Sequence, residues 1–335
     1  MERIAFIFGN HILYWSSILL TLAAAAAVCV FLSLYLRKSG NGTAGFSVVP
    51  LAMVLSLAAA RLLHWYCYAE SYESLSAAMT SFSGGGFALL GAFAGCFLAA
   101  VLTRLFRIHR NLPQMLDCMC LAGGAGIALG RLASFYNSSD RGQIVQSIRS
   151  MPWVYPVTNS VSGVTEYRLA TFLLQAMVTG LLFLVLTVFY LTGKEGRRKD
   201  GDTALLFLLC YGAAEVVLDS TRYDSMYFRS NGFVSIVQVL GALALGFAIV
   251  VFSVRLVKAR GFRRWYLALW AAMAALIGCA GYMEYHVQRH GNEAVFAYSV
   301  MSISLCILVG LTLVLRRLAG KELPGRKKGR FLKNT

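Results

Sequence analysis

The sequence is short of charge and shortest of acid: 14% of its 335 residues are charged, with 15 Asp and Glu against 31 Lys and Arg. So thin a polar complement, beside 58% hydrophobic residues, excludes a water-soluble globule. Amphipathic patterning is missing as well. The apolar residues neither keep to one helical face nor alternate as in a half-buried strand. They run continuously for about 20 residues, the length an α-helix needs to cross a hydrocarbon layer about 30 Å thick. No cysteine framework exists either. The eight cysteines (29, 67, 96, 118, 120, 210, 279 and 306) all fall in apolar runs, with no disulfide pattern and no metal-ligand spacing. They read as small packing residues. No internal repeat, low-complexity linker or soluble domain interrupts the chain, and neither a metal nor a cofactor is expected.

What is present is a series of nine apolar runs: Ile12–Leu36, Ser47–Ala69, Gly84–Phe106, Pro113–Phe135, Leu169–Thr192, Thr203–Ser220, Phe233–Val257, Trp265–His286 and Phe296–Leu315. In lipid the backbone must satisfy its own hydrogen bonds, so these runs predict helices and an all-α polytopic membrane bundle. The first is too long for a removed signal peptide. Thr203–Ser220 is the shortest and carries acids, which makes it the weakest of the nine. The longest stretch outside the runs is Tyr136–Arg168.

Charge placement orients the bundle. The loops after the first, third, fifth and seventh runs, with the C-terminal tail, hold 22 of the 31 basic residues. Cytoplasmic loops are the basic ones, so the N-terminus is expected outside and the C-terminus in the cytoplasm. The +16 net charge therefore belongs to topology and not to nucleic acid. The tail segment Gly325–Lys333 reads as a polybasic anchor on anionic lipid.

Ionisable groups inside a bilayer are costly and mark sites. Arg61 and His64 lie in the outer half of the second run and Arg131 near the outer end of the fourth. Glu215 and Asp219 fall in the sixth. All five share one depth, and neighbouring helices would gather them round one polar cavity below the outer surface. Structural pairing between helices is the alternative for any one of them.

The stretch Gly130–Gly142 (GRLASFYNSSDRG) resembles the signature of bacterial prolipoprotein diacylglyceryl transferases, G-R-I-G-N-F-x-N-G-E-x-x-G, at Gly130, Arg131, Phe135, Asn137 and Gly142. Ala60-Arg61-Leu62 looks like the family's A-R-L, and Asp117 precedes Gly130 by the family's thirteen residues. Met151–Pro156 is similar to its L-P-W-x-V-x-F-P loop. Tyr211, Gly212, Asp219, Arg222 and Asp224 fall in order along its Y-G-x-x-R-F segment, and Ser235 and Gln238 match its S-M-G-Q. The family's helix-three histidine falls at Leu90, its signature Glu at Ser139, its signature Asn at Ser134, and the Arg of Y-G-x-x-R at Glu215.

The resemblance implies a plasma-membrane enzyme that moves diacylglycerol from phosphatidylglycerol, or a related anionic phospholipid, onto the lipobox cysteine of a prolipoprotein signal peptide. Arg131, Arg61 and Arg222 are then the cations for phosphate. Asn137 orients phosphate or a glycerol hydroxyl, Gly142 lies at the substrate, and Glu215, Asp219 or His64 takes the thiol proton. Residues 1–258 correspond to the family domain, 259–315 to an added pair of helices and 316–335 to a basic tail. The alternative is a non-catalytic relative that binds anionic phospholipid or lipoprotein signal helices; a transporter ranks lower, because no inverted repeat accompanies the charges.

Overall fold

The computed structural model describes residues 4–9, 11–80, 85–137, 140–145, 153–158, 163–193, 198–229, 231–289 and 293–320. Gly84, Ser138, Ser139, Arg149, Met151, Pro152 and the polybasic tail beyond Gly320 lie outside the described residues.

The chain is a polytopic helical bundle. Its long helices are α1 (Trp15–Ser39), α2 (Gly42–Cys67), α4 (Leu89–Leu105), α5 (Leu112–Arg131) and α6 (Thr171–Thr192), then α7 (Asp202–Ser220), α8 (Ile236–Arg260), α9 (Trp265–Arg289) and α10 (Ala294–Gly320). A short helix, α3 (Leu75–Thr80), lies between α2 and α4. Eight of these are long and apolar enough to cross a membrane, and α4, at 17 residues, is the shorter ninth. The third run is thus trimmed at its start. Gly85 and Gly86 take left-handed backbone (φ +71° and +84°), and the helix begins only after the Ala88 N–H has bonded to the Ala60 carbonyl at 3.1 Å.

The sixth run is a full helix, and its acids have a physical reason. Within α7, 67% of the spanning window is buried inside the protein, against 17% for α1 and α2. A helix sheathed by other helices meets little lipid, so it tolerates polar side chains where these find partners. Its N-terminus is closed by a neighbour. Asp117 on α5, fully buried, accepts the N–H groups of Gly201 (2.9 Å) and Ala204 (2.7 Å). The negative carboxylate thereby sits on the positive end of the helix dipole.

Small residues set the close approaches. A Cβ on Gly91 would lie 2.4 Å from the Ala59 carbonyl oxygen, and one on Gly95 would lie 2.3 Å from that of Leu55, so α4 rides against the backbone of α2. Similarly α5 meets the alanine run of α1, with Gly126 opposite Ala27.

Two compact units are present. The first runs from the N-terminus through α7 and into α8 as far as Ala244. It carries three antiparallel hairpins: β1 (Ile4–Phe8) with β2 (His11–Tyr14), β3 (Val154–Thr158) with β4 (Thr165–Leu169), and β5 (Tyr227–Phe228) with β6 (Asn231–Ser235). They precede α1, follow α5 and follow α7, which are ends on one side of an alternating bundle. The second unit begins at Leu245 and contains the α9–α10 hairpin. There Ala297, Met301, Ser304 and Leu308 form the buried stripe of α10, and the Trp270 indole donates to the Ser253 hydroxyl at 3.1 Å.

Candidate functional site

The site grows from the ends of α5 and α7. Arg131 is the last residue of α5, and a 3₁₀ turn, Leu132–Phe135, continues the helix and presents Ser134. Residues 140–145 then thread between the end of α7 and β4. Tyr223 donates its N–H to the Arg141 carbonyl (2.8 Å), Gln143 to that of Thr221 (3.0 Å) and Gly142 to that of Leu169 (2.9 Å). Gly142 is needed there, since a Cβ would fall 2.4 Å from the Leu169 oxygen. This weave fixes Asp140, in left-handed backbone (φ 58°), against both arginines.

One carboxylate oxygen of Asp140 receives Arg131 Nη1 at 2.5 Å and Arg222 Nη2 at 2.8 Å, and the other receives the Ser134 hydroxyl at 2.8 Å. Burial by itself pushes the Asp140 carboxyl up. Arg131 and Arg222 outweigh that and hold it down at about 2. Arg222 also reaches Asp219 (3.3 Å) and Asp224 (3.1 Å), and Asp224 accepts the Asp140 N–H at 2.6 Å. Burial opposes the charge on Arg222, but Asp140 and Asp224 raise its pKa.

Deeper along α7, Asp219 accepts the hydroxyl of Ser235. Ser235 is the N-cap of α8. Its Oγ accepts the Gln238 N–H (3.0 Å) while Gln238 Oε1 accepts the Ser235 N–H (3.1 Å). The Ser–Gln motif is thus a capping box tied to the acid of α7. One turn before Asp219, Glu215 accepts Gln175 Nε2 of α6 at 2.8 Å. Tyr211, one turn before Glu215 on α7, is within electrostatic reach of both Glu215 and Arg131.

Arg131, Glu215, Asp219 and Arg222 therefore form one network. Asn137 lies in the turn between the 3₁₀ segment and Asp140. Arg61 and His64 form a second cluster. Arg61, 2% exposed, donates Nε to the Ala78 carbonyl and Nη1 to those of Gly85 and Gly86, and its guanidinium lies 5.0 Å from the Tyr72 ring centre. His64 Nδ1 pairs with the Tyr72 hydroxyl at 2.9 Å. Tyr68 lies 4.8 Å from the His64 ring. Asp140, Gln175 and Tyr72 were not singled out from sequence, and Asp224 and Ser134 entered only as positions aligned with the family's motifs. Asp140 stands in an irregular loop and Gln175 in an apolar helix, where no periodicity marks either. Among the described residues no group of three or more His, Cys, Asp or Glu is placed to hold a metal ion.

A bundle of membrane-crossing helices with a buried ionic network at the mouth of α5 and α7 defines a polytopic membrane protein with a polar site at one end. A family model described as prolipoprotein diacylglyceryl transferase matches residues 3–254. The phosphatidylglycerol–prolipoprotein diacylglyceryl transferase of Finegoldia magna is 26% identical over 251 residues, 73% of this chain and 94% of that protein. The enzyme of the same name from Streptococcus equi subsp. zooepidemicus is 23% identical over 256 residues, 74% of this chain and 95% of that protein. A Streptococcus agalactiae protein of that name shares 23% over 246 residues, 72% and 93%. The chain belongs to the prolipoprotein diacylglyceryl transferase family and is a multi-pass protein of the bacterial cell membrane. Helices α9 and α10 lie beyond the matched region.

Proposed function

We propose that this chain transfers a diacylglyceryl group from phosphatidylglycerol to the thiol of a prolipoprotein lipobox cysteine. Residues 1–258 would carry the reaction, with 259–315 an added pair of helices and 316–335 a cytoplasmic anchor. One observation carries the reading beyond the family: a single carboxylate oxygen, of Asp140, is gripped by two guanidiniums. Two converging arginines are the donor set that suits a phosphate oxygen. In this reading the lipid phosphate displaces Asp140 and takes its place on Arg131 and Arg222, while Asn137, beside Asp140 in the chain, orients the headgroup.

The thiol sulfur attacks the glycerol carbon of the diacylglyceryl moiety. A C–S bond forms, the C–O bond to phosphate breaks, and glycerol phosphate leaves with the bonding pair. The two arginines stabilise the charge that grows on it. The thiol proton goes to His64. Of the three groups considered, Glu215 and Asp219 are 2% and 1% exposed, and Asp219 is already bound by Arg222 and Ser235. His64 is half-buried, and in the tautomer whose Nδ1–H donates to Tyr72 its Nε2 is left as the acceptor. Arg61 is assigned to positioning, since its donors hold the segment that carries Tyr72 and Gly86.

The test is transfer of labelled diacylglycerol from phosphatidylglycerol vesicles to a lipobox peptide, with binding of the lipid measured on the same preparation. Arg131→Ala is expected to weaken lipid binding roughly ten- to a hundredfold, the worth of a charge-assisted hydrogen bond. Transfer undiminished in that variant removes the site. Binding without transfer in the unaltered protein favours the non-catalytic alternative, to which the acids already pairing both arginines lend support.

A further inference from the structure

Ser235 is placed to do more than cap a helix. The β5–β6 hairpin returns the chain onto the last turn of α7, with Ser235 paired opposite Tyr227. The Ile236 N–H closes that return on the Met226 carbonyl at 2.8 Å. From there α8 runs close against α7, since a Cβ on Gly241 would lie 3.1 Å from the Gly212 carbonyl oxygen. Ser235, 1% exposed, uses its hydroxyl twice. The oxygen accepts the Gln238 N–H, the ordinary duty of an N-cap, and the hydrogen is given to Asp219 Oδ2. The backbone around Asp219 is held from the same side. Ser225 donates its hydroxyl to the Asp219 carbonyl at 2.9 Å, and Gln238 Nε2 donates to that of Val216 at 3.3 Å.

Arg222 registers this tether. A guanidinium and a carboxylate free to approach settle at about 2.7–2.9 Å, often with both oxygens engaged. Arg222 Nη2 meets Asp140 at 2.8 Å, yet Nη1 stands 3.3 Å from Asp219 Oδ1. The other Asp219 oxygen is the one that Ser235 holds. A carboxylate bonded on its far side, on a backbone clamped at two carbonyls, does not turn both oxygens to the guanidinium. Nη1 is left with one long contact, while Nε and Nη2 are engaged by Asp224 and Asp140.

We propose that Ser235 is a positioning residue for lipid phosphate: its bond to Asp219 restrains that carboxylate from closing on Arg222 and so keeps the guanidinium at the mouth of the site beside Arg131. The inference rests on the diacylglyceryl-transfer reading for the place of the phosphate on Arg131 and Arg222. Without the hydroxyl, Asp219 is a buried carboxylate that has lost a donor, and it closes on Arg222 to recover one. An incoming phosphate then competes with two carboxylates for Arg222 and not with Asp140 alone.

The experiment measures phosphatidylglycerol binding and the KM for that lipid in diacylglyceryl transfer, with the melting temperature of the full chain in detergent beside them. Ser235→Ala should weaken lipid binding and raise KM about tenfold, the scale of a charge-assisted hydrogen bond. Ser235→Thr keeps both the cap and the donor and should restore binding. Asp219→Asn removes the charge that Ser235 restrains. In that background Ser235→Ala should still lower the melting temperature but change lipid affinity by less than about twofold, because two residues acting through one contact are not additive. A plain helix cap behaves differently: its loss lowers the melting temperature and leaves affinity and KM unchanged, or alters them equally with and without the Asp219 charge. Either result overturns the inference. Ser235→Cys, of similar size but a weak donor, carries the same comparison where the alanine variant does not fold. Transfer by the unaltered protein that none of these variants alters in KM leaves the diacylglyceryl-transfer reading standing without Ser235. An unaltered protein that neither binds nor uses phosphatidylglycerol overturns both.

Discussion

Removing the carboxylate of Asp140 separates the two roles the ionic network can have. Asp140→Ala deletes the bonds to Arg131 (2.5 Å), Arg222 (2.8 Å) and Ser134 (2.8 Å). Breaking a buried ion pair by removing one partner costs about 3–5 kcal/mol when the other is stranded. Arg222 is not stranded, because Asp219 and Asp224 remain within 3.3 Å and 3.1 Å. A second route gives the smaller figure. The Asp140 carboxyl lies at about 2 against an ordinary 3.8, and at 1.36 kcal/mol per pKa unit that favours the folded state by about 2 kcal/mol. The folded-state pKa is depressed, so this stability is present above pH 4 and is lost as pH falls towards 2. Thermal unfolding in detergent should therefore occur several degrees lower for Asp140→Ala than for the unaltered protein at pH 7, with the gap closing near pH 2. Phospholipid binding should move the other way. If phosphate takes the place of Asp140, the variant no longer pays to displace it and binds lipid more tightly. Loss of binding in step with loss of stability would refute the displacement argument and make Asp140 a structural ion.

Other expectations concern the scaffold. Reporter fusions should give cytoplasmic signals after Lys38, Arg110, Lys199 and Arg264 and at the C-terminus, and external signals near Glu73, Arg149, Arg229 and Gly291. A cytoplasmic signal from the Tyr136–Arg168 loop overturns the orientation. Gly91→Val places a Cβ 2.4 Å from the Ala59 carbonyl, so α2 and α4 must part, at about 1–3 kcal/mol or more in unfolding measurements. An unchanged melting curve would refute that packing. Asp117→Asn keeps the shape but loses the charge at the start of α7, and a loss of about 0.5–2 kcal/mol is expected from titration with denaturant. Full lipid binding by that variant would agree with a role confined to the helix end.

Much of this protein is written along the chain. Spans, their number and the alternation of basic loops follow from run length and charge counts, because a bilayer imposes the same local demand on every crossing segment. Motif order likewise carried the family and drew attention to Arg222, and Arg131, Glu215 and Asp219 were legible because an ionisable residue in an apolar run stands out whatever surrounds it. Partners were not legible. Asp140 meets Arg131 from nine positions further along the chain, and Asp117 caps a helix 84 residues on. Arg61 turned out to be held by the carbonyls of Ala78, Gly85 and Gly86, which have no side-chain identity to read. Glu215 finds Gln175 only because α6 and α7 lie side by side. A buried charge announces itself by its cost, which is local, whereas what neutralises it depends on which helices pack together, and only the tertiary structure decides that.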